Sequence, residues 1–214
     1  PVSRRTRARR QSEEMAQAGG VSESYGPAPA ASSRRSIRHG RVFSLVFVPT
    51  LACNCTCPHC FEELSGRTLD EGCWEPLFRR IRELAEALET STLRLYWQGG
   101  EVLCMDPGTV KRGLETAAAI FADSGIVLEH HLQTNLLLYD SAEWRDVLSA
   151  FSLTTLSSSV DLPNLYRRTP SLSAEAYNAA WLRRKEAAEE DGFQVSAISL
   201  PNPETLRLGA EHFY

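Results

Sequence analysis

Four cysteines fall within eight positions, in the stretch Cys53-Asn54-Cys55-Thr56-Cys57-Pro58-His59-Cys60. Thiols so close along a chain make poor disulfide partners for one another, so the group reads as metal ligation in a reducing compartment. Thiolates gathered in one loop hold iron–sulfur centres or zinc. Choosing Cys53, Cys57 and Cys60 gives a C-x3-C-x2-C spacing and three sulfurs for one site. Adding Cys55 gives the four ligands of a structural zinc, although such sites usually come as two separated pairs. Further polar groups stand where strand-like runs end: Gly99-Gly100-Glu101, then Gln133-Thr134-Asn135, then Ser159 with Asp161. Any one of these alone is commonly a turn or a cap, and Ile198-Ser199-Leu200 alone reads as strand core.

Such residues act together only if the elements carrying them lie side by side and point one way. Val42 to Val48 is a β-branched and aromatic run, predicting a strand buried on both faces that ends at Pro49 and the cysteine loop. Asp70 to Leu88 carries Trp74, Leu77, Ile81, Leu84 and Leu88 at helical spacing. Leu93–Trp97 is the next strand, Pro107 opens a helix reaching about Asp123, and Ile126–Leu132 is a third strand. Ser141–Ser149 predicts a short helix, Ser152–Val160 a fourth strand, Ala174–Glu190 a long helix and Gln194–Leu200 a fifth strand. A last helix begins near Pro203 or Glu204 and still reads as apolar helix at Phe213 and Tyr214, with no glycine cap and no sixth strand. Strands alternating with helices predict an α/β fold with a parallel sheet and right-handed crossovers. Either a partial (β/α) barrel, with about five of six units, or an open doubly wound sheet satisfies the pattern. In the first, all the strand-end residues meet on one face.

The 214 residues, 43% apolar and 23% charged, suit one globular domain. Residues 1–40 hold few large apolar side chains and crowd Arg4, Arg5, Arg7, Arg9 and Arg10 together, so they read as a disordered, solvated leader before a core at 41–214. The formal net charge of -4 points to no polyanion, and the arginine run lacks interleaved aromatics, so a nucleic-acid partner is not expected. No stretch reaches the ~20 apolar residues that cross a bilayer, which predicts a cytoplasmic protein without a membrane partner. Cys73 and Cys104 read as buried free thiols, and Trp74, Trp97, Trp144 and Trp181 as core.

The spacing of Cys53, Cys57 and Cys60, followed by Gly99-Gly100-Glu101, resembles the radical S-adenosylmethionine (SAM) superfamily over about residues 42–214. The resemblance implies a [4Fe-4S] cluster on those three cysteines, with one iron left open to the amino and carboxylate groups of SAM. Reductive cleavage of SAM would then give a 5′-deoxyadenosyl radical that abstracts hydrogen from substrate. Gly99, Gly100 and Glu101 would neighbour the methionyl amino group. Gln133, Asn135, Ser159 and Asp161 would contact ribose or methionine polar groups, and Ile198 and Leu200 would wall the adenine. No catalytic acid or base beyond this machinery is implied. Cys53-Asn54, Phe61, Gln133-Thr134-Asn135 and Gly209 to Tyr214 are most similar to the anaerobic sulfatase-maturing and SPASM-type peptide-modifying branch. That implies a peptide or protein substrate and an electron donor such as flavodoxin or ferredoxin; a partner chain, or missing C-terminal sequence, would cover the open barrel edge. Auxiliary clusters are not expected, for lack of a cysteine-rich C-terminal region. Departures from the pattern are His59 for an aromatic, Val102 for proline, Leu136 for glycine, and Asp161-Leu162-Pro163 for Asp-Gly. Arg167 or Arg168 stands where relatives present an arginine to the SAM carboxylate, with a solvated loop charge as the simpler reading.

Overall fold

A computed structural model describes residues 41–151 and 155–209. The leader at 1–40, the start of the fourth predicted strand at 152–154, and all but the first residue of the Gly209–Tyr214 motif lie outside the described residues. Five strands, β1 (Arg41–Thr50), β2 (Thr90–Gly99), β3 (Val127–Thr134), β4 (Thr155–Ser159) and β5 (Gln194–Ile198), pair in sequential order, and every pairing is parallel. The helices between them are α1 (Trp74–Ala87), α2 (Pro107–Phe121), α3 (Ser141–Leu148) and α4 (Ala174–Glu190), with a short α5 (Pro203–Arg207) after β5. Sequential order separates the two sequence alternatives. A doubly wound sheet reverses direction partway, whereas here each right-handed crossover lands beside the last strand and all helices cover one face. The result is a barrel-type α/β sheet that stays open among the described residues, with β1 and β5 at its edges.

Burial alternates along the strands as a one-sided cover requires. On β2, Leu93, Leu95 and Trp97 are buried while Arg94, Tyr96 and Gln98 are only half-buried. Trp97 sits at the centre of the helix-covered layer, 4.8 Å from the Phe47 ring and 5.8 Å from Trp74, and donates from Nε1 to His130 Nδ1 at 2.9 Å. Gly113 of α2 lets this stack close, because a Cβ there would stand 3.2 Å from Trp97 and 3.3 Å from Trp74. Trp144 and Trp181 are buried as expected. The uncovered face is different: Val42, Val46 and Val48 on β1 are exposed, with Val46 at 56%. The expectation that β1 is buried on both faces is therefore corrected; a valine run is buried twice only if something covers both sides.

Four local readings also change. β1 continues through Pro49 to Thr50, which an edge strand tolerates because its ladder to β2 is already interrupted between Phe47 and Thr50. The buried stripe of α1 is Trp74, Phe78, Ile81 and Ala85, while Leu84 and Leu88 are exposed, so the apolar face lies one position away from the predicted one. α5 stops at Arg207, and Gly209 follows with φ 89°, a glycine that the sequence reading did not count as a cap. Cys73 and Cys104 are exposed rather than buried, each the last residue of a single-turn 3-10 segment. No described helix is long and apolar enough to cross a membrane.

Leu136, the departure from glycine after β3, keeps the glycine conformation, with φ 66° and a fully buried side chain. Removing a buried leucine costs about 2–5 kcal/mol, and the left-handed backbone strain relieved is only about 1–2 kcal/mol. Leu136→Gly is therefore expected to destabilise the chain in urea unfolding, although it restores the commoner residue.

Candidate functional site

The site is built from the ends of β1 to β4. The cysteine loop leaves β1 through a pinned neck. Leu51 N donates to Arg67 O at 2.8 Å, Ser65 N to Leu51 O at 2.9 Å, and the hydroxyls of Thr50 and Thr68 meet at 2.9 Å. The loop then leans across the sheet, where Thr56 N donates to Arg168 O at 2.9 Å. The paired glycines at the end of β2 are required by this loop. Gly100 N and Glu101 N donate to Thr50 O and Ala52 O at 3.0 and 2.8 Å. A Cβ on Gly99 would fall 2.3 Å from Thr50 O, and one on Gly100 2.2 Å from Ala52 O. Gly99 also has φ 137°, which side chains rarely adopt. The glycines thus serve first to seat the cysteine loop.

Glu101 is 2% exposed and holds three donors. Oε1 accepts from Leu103 N at 3.0 Å and from Thr134 Oγ1 at 2.7 Å, while Oε2 accepts from Asn135 N at 2.6 Å. Burial raises its pKa, and the hydrogen bonds from Asn135, Thr134 and Leu103 pull the other way. Asn135 carries the connection onward: Nδ2 donates to Asn54 Oδ1 at 2.7 Å and to Cys55 Sγ at 3.3 Å, and Oδ1 accepts from Leu137 N at 3.0 Å. Val102, where proline is usual, begins the short 3-10 turn that Glu101 caps. On the far side, Gln133 Nε2 donates to Ser159 Oγ at 2.9 Å, and Tyr177 Oη donates to the Ser159 carbonyl at 3.0 Å.

These groups line one open cavity whose empty space, mouth included, is ≈ 830 Å³. Cys53, Cys57, Cys60, Gly99, Gly100, Glu101, Gln133, Asn135, Ser159 and Leu200 all reach it. Asp161 and Ile198 are not among its lining residues. Asp161 is buried and spent on structure, accepting from Leu200 N at 2.9 Å and pairing with Arg167 Nε at 2.8 Å. Ile198 and Leu200 are each half-exposed, so neither is strand core. Arg167 is no solvated loop charge: its side chain is 13% exposed and lines the cavity. His59 also lines it, 6.2 Å from the Tyr166 ring, and burial together with the Arg167 charge lowers its pKa. Sequence reasoning missed Tyr177, although it precedes the recognised core Trp181 by one helical turn and that spacing marks it. Gln98 was also missed, with only its place before Gly99 to hint at it, while Thr134 was named within its motif but given no role of its own.

The thiols are electrostatically unlike one another. A hydrogen bond from Cys55 lowers the pKa of Cys53, and the same donor brings Cys57 down to about 6 against the cost of burial. The two acceptor sulfurs and burial push Cys55 far up. Among the described residues no three His, Cys, Asp or Glu side chains stand ready-made at metal-ligand spacing, and Cys60 is exposed.

Two outcomes follow from this geometry. In metal-free protein kept reduced at pH 7, iodoacetamide should modify Cys57 well ahead of Cys55 and Cys104, and the Cys57 rate should fall as pH drops through about 6, as peptide mapping by mass spectrometry would read. Glu101→Ala strands three buried donors at about 1–3 kcal/mol each, so it should lower unfolding stability by several kcal/mol, with Glu101→Gln, which keeps Oε1 as an acceptor, losing less.

No family model matches the chain, and no curated protein matches it. Solved structures do. Native anSMEcpe with bound AdoMet and Cp18Cys peptide superposes with a TM-score of 0.63 at 19% identity, covering 78% of this chain and 45% of that one. Native anSMEcpe with bound AdoMet gives 0.63 at 20% identity, and a histidine-tagged form with AdoMet 0.60 at 19%, with the same coverage. The chain thus spans under half the length of the structures it matches. At this identity the likeness is one of fold alone: the parallel five-stranded sheet and helices of the described residues superpose on part of those structures.

Proposed function

We propose that the chain is a radical SAM enzyme of the maturase type, holding a [4Fe-4S] cluster on Cys53, Cys57 and Cys60 and acting on a peptide or protein side chain. The observation that carries the reading is one cavity lined together by those three sulfurs and by the β2, β3 and β4 ends at Gly99–Glu101, Gln133, Asn135 and Ser159. The donor set fits the group: an all-sulfur triad suits iron–sulfur ligation, and the lowered thiol pKa values of Cys53 and Cys57 favour the thiolates that it needs. When bound, the cluster and SAM supply the one-electron chemistry that makes a hydrogen-abstracting radical.

The chain's own residues bind, orient and shield. Gly99 and Gly100 keep the loop against β2 so that all three sulfurs share the cavity. Glu101 and Asn135 hold the β3 end to that loop, with one Glu101 lone pair on Oε2 still free for an ammonium. Arg167 places a guanidinium in the wall, a partner for a carboxylate, and Asp161 fixes its direction. Leu200 and Leu64 add apolar wall beside the polar strand ends. Phe61, 83% exposed at the mouth, is placed to meet substrate. A peptide substrate is supported by the peptide bound in the matching structures, and reduction of the cluster calls for a small electron donor such as flavodoxin or ferredoxin.

A zinc site is the second reading, favoured by the way Cys55 sits with Cys53 and Cys57. One preparation separates the two. Anaerobic reconstitution should give a brown protein with iron and sulfide near about four each per chain, and dithionite with SAM should then release 5′-deoxyadenosine. Cys57→Ala should lose both. A colourless protein retaining one zinc through Cys57→Ala-sensitive binding would instead select the zinc site.

A further inference from the structure

Between β4 and α4 the chain runs from Val160 to Ser173 without a helix or strand, yet it carries Arg167 into the cavity wall. Asn164 shapes this loop. Its Oδ1 accepts from Tyr166 N at 3.2 Å and from Arg167 N at 2.8 Å, and its Nδ2 donates to Arg167 O at 2.9 Å and to Ala174 O at 2.7 Å. One side chain thus grips both backbone groups of Arg167 and ties the turn to the first residue of α4. With two lone pairs and two amide hydrogens engaged, Asn164 has nothing left to offer a ligand, and it is not among the cavity's lining residues. The Arg167 side chain is held separately, by its ion pair with Asp161 at 2.8 Å. Asp161 is pinned in turn through its carbonyl, which accepts from Asn178 Nδ2 at 3.0 Å.

We propose that Asn164 is a positioning residue, which fixes the Arg167 backbone from both sides and thereby presents that guanidinium to the carboxylate of SAM in the cavity. The inference rests on the reading of the cavity as a SAM site and adds the residue on which its arginine depends. Without this grip an irregular loop would spread over many conformers, and its arginine would have to be ordered each time a carboxylate bound. Preorganisation removes that cost. The side chain required is specific. Aspartate keeps the two accepted bonds but turns a carboxylate oxygen toward the carbonyls of Arg167 and Ala174, and alanine drops all four. Thr169 gives the contrast: its hydroxyl accepts from Ser171 N at 3.2 Å and Leu172 N at 2.9 Å, folding the same loop beyond Arg167.

The test uses the full chain reconstituted anaerobically with iron and sulfide, as wild type, Asn164→Ala, Asn164→Asp, Arg167→Gln, the Asn164→Ala/Arg167→Gln double variant and Thr169→Ala. Iron per chain is measured, with the calorimetric Kd for SAM and for decarboxylated SAM, which lacks the carboxylate. Every variant should keep the wild-type iron. Arg167→Gln should weaken SAM about tenfold or more, as loss of a hydrogen bond between charged groups does, and leave the decarboxylated analogue unchanged. Asn164→Ala and Asn164→Asp should weaken SAM by a smaller factor and also spare the analogue. The double variant should bind SAM no more weakly than Arg167→Gln, and Thr169→Ala should match wild type. An unchanged SAM affinity in both Asn164 variants, an equal loss for the analogue, multiplied losses in the double variant, or the same loss in Thr169→Ala would each overturn the proposal. So would loss of iron in both Asn164 variants, which would assign Asn164 to the support of the cysteine loop, where Thr56 N donates to Arg168 O. A wild type that takes up no iron removes the reading of the cavity and this inference together. A wild type that holds its cluster and binds SAM, matched by both Asn164 variants, removes the inference alone.

Discussion

The buried carboxylate of Glu101 is the interaction on which the site's shape depends. It lies at the end of β2, yet two of its three donors come from the end of β3, so it locks two neighbouring strand termini at one level. Asn135, set by that lock, then reaches the cysteine loop above β1. One anion thus steadies, through Asn135, thiols that lie 80 and 82 residues from that asparagine in sequence. Isolated in an apolar interior, a carboxylate would be costly to bury. Three donors offset that cost, and the charge strengthens each of them.

Asp161 repeats the arrangement two strands further along, binding Leu200 N after β5 and pairing with Arg167. The two carboxylates differ in what they leave available. Glu101 faces the cavity, while Asp161 is withdrawn and presents its arginine there instead. Through Arg167 a residue outside the cavity still acts within it, because the guanidinium charge helps to lower the pKa of both Cys57 and His59.

Much of the architecture was legible in the sequence because its signals are local. β-branched runs, helical periodicity and Pro107 inside a helix start each occupy a few adjacent residues, and the long helix Ala174–Glu190 matches its predicted bounds. What failed depended on distant partners. The open face of β1 could not be read, because a valine run looks the same whether or not the sheet closes over it. Cys73 and Cys104 look like core residues until the 3-10 turns that carry them to the surface are in place. The cavity residues were found by their position at strand ends, but their roles were not all readable. The glycines and Asn135 answer first to the neighbouring loop, a relation that spans 48 to 81 residues of chain.

The uncovered face of the sheet follows its own rule, which bears on what the cavity opens onto. In register across β1, β2 and β3, Ser44, Arg94 and Glu129 form one row, and Val46, Tyr96 and His131 the next, nearer the strand ends. Arg94 pairs with Glu129 at 2.7 Å, and Tyr96 stacks on His131 with centroids 4.5 Å apart. A face meant to be sealed by a second apolar layer would bury these polar groups at high cost, whereas a face lining a wet chamber satisfies them sideways. The same strands therefore carry two chemistries by alternation: aromatic and aliphatic side chains pack against the helices, and the other side mixes exposed valines with the paired polar groups of β2 and β3. Rigidity on one face is what allows the other to remain uncovered without losing the geometry of the strand ends.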